Sequence, residues 1–370
     1  MNRIVISSNT CWSIYNFRLD LIKILKEKGY KVVIVAPYDE YSKKLDKEFE
    51  YYNIFINNKG TNPVEDIRTF FEYYKLYKKL SPKIVIHYTI KPNIYGSLAA
   101  KLLNIKIINN VTGLGTLFIR ETFSTKIAKF LYKISLCCAN KIFFQNKDDF
   151  EFFIKNELVN EKRCSVLLGR GIDVEKFKPI NFDKKDNIFR FLLIARMIWD
   201  KGIKEYVEAA KIIKEKYKNV EFLLLGPTNI KNPTAIPIDV IKHWEEMGLV
   251  KYLGETDDVR EEIAKVDCVV LPSYREGISN VLLEGAAMAK PLIATNVPGC
   301  KEVIEDGVNG FLCKVKDVTD LASKMEKILN LKEEDRKKMG LKGREKVIEK
   351  FNSKIIISKY LKIIEDLLKN

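Results

Sequence analysis

Two glutamates stand on either side of a glycine turn. Glu276 precedes Gly277, and Glu284 lies on the following segment with helical periodicity, residues 281–288. An apolar run, residues 268–271, comes just before and has the pattern of a buried parallel strand. A strand, a glycine loop and a helix N-terminus bind anions through free backbone N–H groups and the helix dipole. Carboxylates accept hydrogen bonds from hydroxyls, so this corner predicts a site for a sugar joined to a ribose by a diphosphate. An ordinary loop is the alternative, since short motifs match by chance.

A second stretch carries positive charge. Arg196 and Lys201 follow another short apolar run, residues 191–194, and lie in the turn before the next helical segment. Arginine offers a planar fork to phosphate oxygens, and lysine offers a point charge. This turn would therefore suit the diphosphate. A solvated basic turn is the alternative, and it is the commoner fate of one arginine and one lysine.

Together the two stretches resemble the family 4 retaining glycosyltransferases. Arg196 and Lys201 match that family's Arg-x4-Lys, and the two glutamates match its Glu-x7-Glu, in the same order along the chain. The likeness covers nearly the whole sequence. It is nearest to the branch of capsular-polysaccharide transferases and of the N-acetylgalactosaminyltransferase of bacterial N-glycan assembly. The branch features in this chain are residues 15–18, 89–96, 110–115 and 297–300.

By this resemblance the second half of the chain binds a UDP-sugar. Arg196 and Lys201 would neutralise the diphosphate and stabilise the departing UDP, which makes electrostatics the main source of rate. Glu284 would accept the ribose hydroxyls. Glu276 would accept a hydroxyl of the transferred sugar.

The remaining donor contacts implied by the resemblance involve loop residues. The backbone of residues 277–280 would approach the sugar and the phosphate, and the base would lie against residues 254–259. The donor-binding set is thus completed by Gly277, Ser279, Asn280, Gly254 and Thr256. Ser279 is also a plausible N-cap for the helix that follows.

The first half would hold the acceptor, and here the chain departs from the wider family. The candidate acceptor-side residues are Asn9, Arg18, His87, Thr112 and Gly113. Residues 8–11 replace the glycine pair of many members, and Thr112 stands where many have a histidine. Threonine donates one hydrogen bond but is no base near neutral pH. His87 is the candidate substitute, and a satisfied structural histidine is the alternative. The family's usual mechanism needs no protein nucleophile, because the leaving phosphate deprotonates the incoming hydroxyl on the same face.

No metal or other cofactor is expected. The chain contains no Asp-x-Asp triplet, and the two cations already face the diphosphate. Seven cysteines show no C-x-x-C spacing, and several lie in apolar runs, which predicts buried free thiols in a reducing cytosol.

Charge is unevenly distributed. The net charge is +15, and residues 1–180 hold 30 Lys and Arg against 18 Asp and Glu. This excess indicates an anionic ligand or surface facing the first half. Residues 117–141 mix large apolar side chains with lysines, a composition that suits an anionic bilayer. A packed helix with a solvated lysine face is equally compatible. Residues 66–80 are a weaker membrane candidate, and no nucleic-acid partner is expected because no recognition-fold signature occurs.

Short apolar runs alternate with helical segments throughout, for example residues 15–28, which Gly29 would close as a C-terminal cap. This alternation predicts an α/β class with parallel sheets. Through the resemblance this becomes the GT-B fold, two Rossmann-like doubly wound domains facing a cleft. We expect an acceptor domain over residues 1–180, a donor domain over 188–350, and a final helix, 351–370, crossing back onto the first domain. The predicted strands are residues 3–7, 31–36, 53–56, 83–87, 106–110, 141–144, 190–194, 220–225, 250–253, 267–271, 291–294 and 310–313.

The sequence therefore predicts a glycosyltransferase that moves a sugar from UDP to an undecaprenyl-diphosphate-linked saccharide. The resemblance favours N-acetylgalactosamine and bacterial surface or N-glycan assembly. The protein would work on the cytoplasmic face of the plasma membrane as a peripheral protein, since neither a spanning helix nor a leader segment is expected. The alternatives are another hexosyltransferase of capsule or O-antigen synthesis, a UDP-sugar 2-epimerase, and a nonenzymatic nucleotide-sugar sensor. The scarcity of histidine argues against the epimerase.

Overall fold

Tertiary contacts divide the chain into two units, residues 1–170 with 355–370 and residues 171–354. The computed structural model describes residues 2–57, 62–113, 123–230 and 232–369. Each unit is a parallel sheet covered by helices on both faces. The predicted class, α/β with two doubly wound parallel sheets, is confirmed.

The first unit contains seven parallel strands among the described residues, in the spatial order β3-β2-β1-β4-β5-β6-β7. Its strands are β1 (Arg3–Ser7), β2 (Lys31–Ala36), β3 (Glu50–Asn53), β4 (Ile84–Tyr88), β5 (Lys106–Val111), β6 (Lys141–Phe144) and β7 (Cys164–Val166). Its helices before the second unit are α1 (Cys11–Phe17), α2 (Leu19–Glu27), α3 (Ser42–Asp46), α4 (Pro63–Leu80), α5 (Ser97–Leu102), α6 (Phe123–Cys137) and α7 (Lys147–Lys155).

Successive residues along a strand of this sheet pack into two different hydrophobic cores, one on each face. Val5 and Val85 pack with α4 to α7 on one face, whereas Ile4 and Ile86 pack with α1 to α3 on the other. Side chains of a strand alternate between faces, so a run of valine and isoleucine is what a sheet buried on both faces requires.

The second unit repeats the design with six strands among its described residues, in the order β10-β9-β8-β11-β12-β13. The strands are β8 (Phe189–Ile194), β9 (Val220–Leu225), β10 (Lys251–Tyr252), β11 (Cys268–Leu271), β12 (Leu292–Thr295) and β13 (Gly310–Cys313). The helices are α8 (Ile203–Lys216), α9 (Ile238–Glu246), α10 (Arg260–Ala264), α11 (Asn280–Ala287), α12 (Val318–Asn330) and α13 (Glu333–Lys350).

The last helix, α14 (Ser353–Lys369), returns the chain to the first unit. Ile356, Ile357 and Ile364 are buried in the same core as α1 and α2. The Tyr360 hydroxyl donates a hydrogen bond to the Asn110 side chain at the end of β5. Among the described helices, none is long and apolar enough to cross a membrane.

Three local predictions differ from the structure. The third strand was expected at residues 53–56 but spans Glu50–Asn53. Ile54 and Ile56 are buried as strand residues would be, but they follow the end of the strand. Strand β7 has only three residues and was not predicted. The expected helix at residues 15–28 is two helices that meet at Arg18, although it does end at Gly29 as predicted, with φ 86°.

Candidate active site

The two motifs that the sequence analysis singled out for their chemistry follow neighbouring strands at one edge of the second sheet. Residues 195–202 follow β8, and residues 272–280 follow β11, which pairs with β8 in parallel. The strand order reverses between β8 and β11. Ligands of open α/β sheets bind beyond the carboxyl ends of the strands at such a switch point. The topology therefore places both motifs where a ligand site is expected.

Lys201 and Glu276 are in direct contact. The lysine Nζ lies 2.5 Å from the glutamate Oε1, and the two side chains are 18% and 14% exposed. A backbone hydrogen bond runs beside the ion pair, from Tyr274 N–H to the Asp200 carbonyl, at 2.9 Å. The structure thus joins the basic turn to the loop that contains Tyr274 and Glu276.

Gly202 allows the two loops to approach this closely. Its φ of 71° lies in the left-handed region, and a β-carbon at this position would stand 2.0 Å from the Pro272 carbonyl oxygen. A side chain there would meet both an unfavourable backbone conformation and a rigid backbone atom. Any other residue must therefore push the Lys201 turn away from the Glu276 loop.

A third loop supports the Glu276 loop from the far side. The N–H of Glu276 donates to the Pro298 carbonyl at 3.2 Å, and the N–H of Ser279 donates to the Gly299 carbonyl at 3.0 Å. A β-carbon on Gly299, whose φ is 84°, would lie 2.6 Å from the Glu276 backbone. The Thr295 hydroxyl also donates to the Ser273 carbonyl. Sequence reasoning noted residues 297–300 as a family feature only, and their Pro-Gly pair was the available signal of a supporting turn.

Glu284 lies on α11 and is 9% exposed. Ser279 caps this helix, as predicted, by accepting a hydrogen bond from Leu282 N–H at 3.3 Å. The neighbouring Gly285 keeps the helix close to the sheet, since a β-carbon there would be 3.0 Å from Leu292 and 3.1 Å from Val269. Gly277 and Asn280 are half-buried beside this cap.

Arg196 differs from Lys201 in its surroundings. It is exposed, and within the described part of the chain its guanidinium has no hydrogen bond or ion pair. Gly254 and Thr256 follow β10 at the same edge of the sheet, and Gly226 N–H donates to the Gly254 carbonyl at 2.7 Å. A β-carbon on Gly226 would lie 2.0 Å from the Ala195 carbonyl oxygen, so the loops after β8, β9 and β10 are packed together.

A partly buried tyrosine–glutamate pair, which sequence reasoning missed, orients the loop. The Tyr274 hydroxyl donates to Glu205 Oε1 at 2.7 Å. Burial, and next the Glu205 carboxylate, raise the pKa of Tyr274 above its ordinary value. Lys316 Nζ lies 4.6 Å from the tyrosine ring centroid. The only available signal was a glutamate on the buried face of a helix directly after the basic turn.

His87, an acceptor-side candidate, is a packed strand residue. Its Nε2 lies 2.8 Å from the Tyr77 hydroxyl and its Nδ1 lies 2.9 Å from the Asn109 side-chain oxygen. The ring is fully buried, and burial lowers the pKa of His87 to about 4, although the bond to Asn109 acts in the opposite direction. The surroundings favour the structural role that the sequence left open beside that of a base.

The other acceptor-side candidates lie at the carboxyl edge of the first sheet. Asn9 follows β1, and Thr112 and Gly113 follow β5, all half-buried. Arg18, between α1 and α2, is buried against the ring of Tyr88 at the end of β4. Residues 114–122, which include part of the 110–115 motif and of the 117–141 segment, lie outside the described residues.

Comparisons with known proteins give consistent results. The model of "Glycosyl transferases group 1" matches residues 188–331, and that of "Glycosyl transferase 4-like" matches residues 3–146. An N,N'-diacetylbacillosaminyl-diphospho-undecaprenol alpha-1,3-N-acetylgalactosaminyltransferase of Campylobacter jejuni is 32% identical, with all of both chains covered.

Two further relatives agree with these matches. An Escherichia coli UDP-Gal:alpha-D-GlcNAc-diphosphoundecaprenol alpha-1,3-galactosyltransferase is 26% identical over 91% of this chain and 86% of its own. The crystal structure of a glycosyltransferase from Rickettsia africae superposes with a TM-score of 0.83, at 22% identity, over 100% of this chain and 99% of the other. This structural likeness gives the GT-B fold.

The close approach at Gly202 predicts an asymmetry between two glycine substitutions. Gly202→Ala and the control Gly248→Ala both place alanine at positive φ, which costs about 1 kcal/mol, but Gly248 has no atom within 4 Å of the added β-carbon. Gly202→Ala should lose about 1–3 kcal/mol more, the usual range for overpacking, and should also weaken UDP binding. Urea denaturation and titration calorimetry measure the two effects. Equal destabilisation with unchanged UDP affinity in both variants would contradict the arrangement.

Proposed function

Since the chain belongs to the group 1 glycosyltransferases of the family 4 type, and is therefore an enzyme that transfers a sugar, we propose a specific reaction for it. The donor is UDP-N-acetylgalactosamine, the acceptor is a saccharide on undecaprenyl diphosphate, and the anomeric configuration is retained. The observation that carries this proposal is the Lys201–Glu276 ion pair at the switch point of the second sheet. The relatives support the acceptor, because both act on a sugar linked to diphospho-undecaprenol. The donor sugar is chosen from the relative in Campylobacter jejuni, which transfers N-acetylgalactosamine.

The ion pair suits a site that must receive both a diphosphate and a sugar. Lys201 and Glu276 neutralise one another at a distance of 2.5 Å. A bound diphosphate replaces Glu276 as the partner of Lys201, because phosphate oxygens accept charge-assisted hydrogen bonds from an ammonium group. Glu276 is then released to accept a hydroxyl of the transferred sugar. Arg196, already exposed, adds the second positive charge as negative charge develops on the departing UDP.

Glu284 serves the ribose in this scheme. Its carboxylate is on the buried side of α11, one turn past the capped N-terminus. A carboxylate has up to four lone-pair positions for hydroxyl donors. Because UDP contains the ribose both before and after transfer, Glu284 contributes to binding of donor and product alike.

Retention follows without a protein base. Thr112 cannot take a proton near neutral pH, and His87 is fully buried with both ring nitrogens in hydrogen bonds. The leaving phosphate oxygen therefore accepts the proton of the incoming hydroxyl on the same face of the sugar. No metal is needed for this step, since Arg196 and Lys201 supply the positive charge and the chain has no Asp-x-Asp triplet.

The reaction can be tested directly with EDTA present. We expect UDP-N-acetylgalactosamine and a short-chain polyprenyl diphosphate carrying N,N'-diacetylbacillosamine to give UDP and an α-linked product by NMR. Lys201→Ala and Arg196→Ala should each cut turnover by at least ten-fold, the effect of losing one charge-assisted contact. Transfer that requires manganese, or a β-linked product, would contradict the mechanism. Conversion of UDP-sugar without acceptor would favour an epimerase, and preference for another UDP-hexose would favour another hexosyltransferase.

We also place the enzyme at the cytoplasmic face of the plasma membrane, bound through α6 and without a nucleic-acid partner. Ile127, Phe130 and Ile134 form a helical stripe and are 47%, 64% and 42% exposed. Lys133 beside them is exposed as well. Large apolar side chains next to lysine favour the interface of an anionic bilayer. On α4, Val64, Ile67 and Phe71 are also exposed, whereas Tyr73 and Tyr77 pack in the core.

Vesicle co-sedimentation tests this surface. Phe130→Ser with Ile134→Ser should release the protein from anionic vesicles, and Lys133→Glu should weaken binding mainly at low salt, because salt screens surface charges. The control is Leu341→Ser with Ile348→Ser on α13, which removes apolar side chains of similar exposure, 52% and 40%. The proposed membrane surface is contradicted if the α6 and α13 variants bind vesicles equally well, or if vesicle binding by the wild type does not depend on lipid charge.

A further inference from the structure

Arg18 is a buried cation at the switch point of the first sheet. It stands between α1 and α2, and its guanidinium carbon lies 4.0 Å from the centroid of the Tyr88 ring. Tyr88 ends β4, which pairs with β1 where the strand order of this sheet reverses. The side chain is only 9% exposed. Its position is the one where the topology of an open α/β sheet places a ligand.

Within the residues that the structure describes, nothing compensates the positive charge of Arg18. Among the described residues no carboxylate is within ion-pair distance, and no hydrogen bond leaves its guanidinium. In the described part of the chain, its Nε is buried without an acceptor. By comparison, Lys91 of the same unit is about equally enclosed but pairs with Asp66 at 2.6 Å. A buried charge without a partner is destabilising, and such a group is usually kept for a ligand.

The immediate surroundings favour an anion. Helix α2 begins at Leu19 with no side-chain cap, so its first N–H groups and dipole remain available. The hydroxyl of Thr89, next to Tyr88, is buried and has no hydrogen-bond partner among the described residues. Thr89 also has a φ of 72°, a strained conformation for a β-branched residue that is typical of functional sites.

We propose that Arg18 binds the diphosphate that joins the acceptor saccharide to its lipid. This inference rests on the proposed function, because it assumes a diphosphate-linked acceptor. A guanidinium that lies over a tyrosine ring can still offer two N–H groups to two oxygens of a phosphate. Because Arg18 is so little exposed, its ligand is a diphosphate that enters a recess rather than the phosphates of a flat bilayer. The residue thereby sets specificity for the linker rather than for the sugar.

The test compares two acceptors with one saccharide, on a short-chain polyprenyl diphosphate and on an uncharged alkyl chain. Arg18→Gln should raise the KM of the diphosphate acceptor by about 10- to 100-fold, with Arg18→Lys in between. The KM of the uncharged acceptor and the affinity for UDP should stay the same. The control Arg68→Gln removes another stacked arginine, 4.3 Å from the Phe55 ring but exposed and paired with Glu72, and should alter neither KM. Equal effects of Arg18→Gln on both acceptors, or none, would make Arg18 a structural residue.

A binding experiment tests the same inference without relying on sugar transfer. Inorganic pyrophosphate is titrated into UDP-saturated protein and followed by ³¹P NMR, so that Arg196 and Lys201 are already occupied. Binding by the wild type that is lost in Arg18→Gln supports the site even if no transfer is seen, in which case the proposed function alone has failed. Equal pyrophosphate binding, or none by the wild type, overturns the site. Loss of binding to anionic vesicles in Arg18→Gln, with pyrophosphate binding intact, would assign the residue to lipid headgroups and overturn it likewise.

Discussion

Lys201 and Glu276 hold opposite charges 2.5 Å apart in a region where both side chains are mostly enclosed. Removing one partner from a fully buried pair costs about 3–5 kcal/mol, and less where some exposure remains, as it does here. Each charge therefore needs either the other or a ligand. The rest of the second unit is arranged to keep these two residues within reach: Gly202 lets the loops touch, and Gly299 and Thr295 support the Glu276 loop from the other side.

Both units use the same geometry for different purposes. In each sheet the strand order reverses between the first strand of the unit and the fourth, and a cation stands near that point. In the second unit the cation has a carboxylate partner, which suits a site that a charged donor enters and leaves in every turnover. In the first unit Arg18 has none among the described residues. Residues 1–180 as a whole also carry more Lys and Arg than Asp and Glu, so their net charge is positive like that of Arg18.

Local patterns made the corner between β11 and α11 predictable. An apolar run, a glycine loop and Ser279 before a helical segment specify a strand, a turn and a capped helix with no information from elsewhere in the chain. The contact of Lys201 with Glu276 was not predicted, because 75 residues separate them; the resemblance implied only that both residues serve the same ligand. Strand β7 and the Tyr274–Glu205 pair depend on tertiary packing. The unpaired state of Arg18 was equally hidden, since the residues around a side chain in space cannot be counted in a sequence.

The central claim is that Glu276 and the diphosphate compete for Lys201 while Glu284 binds the ribose. Titration calorimetry with UDP tests it most directly. Glu284→Gln and Lys201→Ala should each lose about ten-fold or more in UDP affinity, as expected for one hydrogen bond to a charged group. Glu276→Gln should bind UDP at least as tightly as the wild type, because the lysine no longer has to leave a carboxylate. Equal losses in Glu276→Gln and Glu284→Gln, or wild-type affinity in Lys201→Ala, would contradict the account.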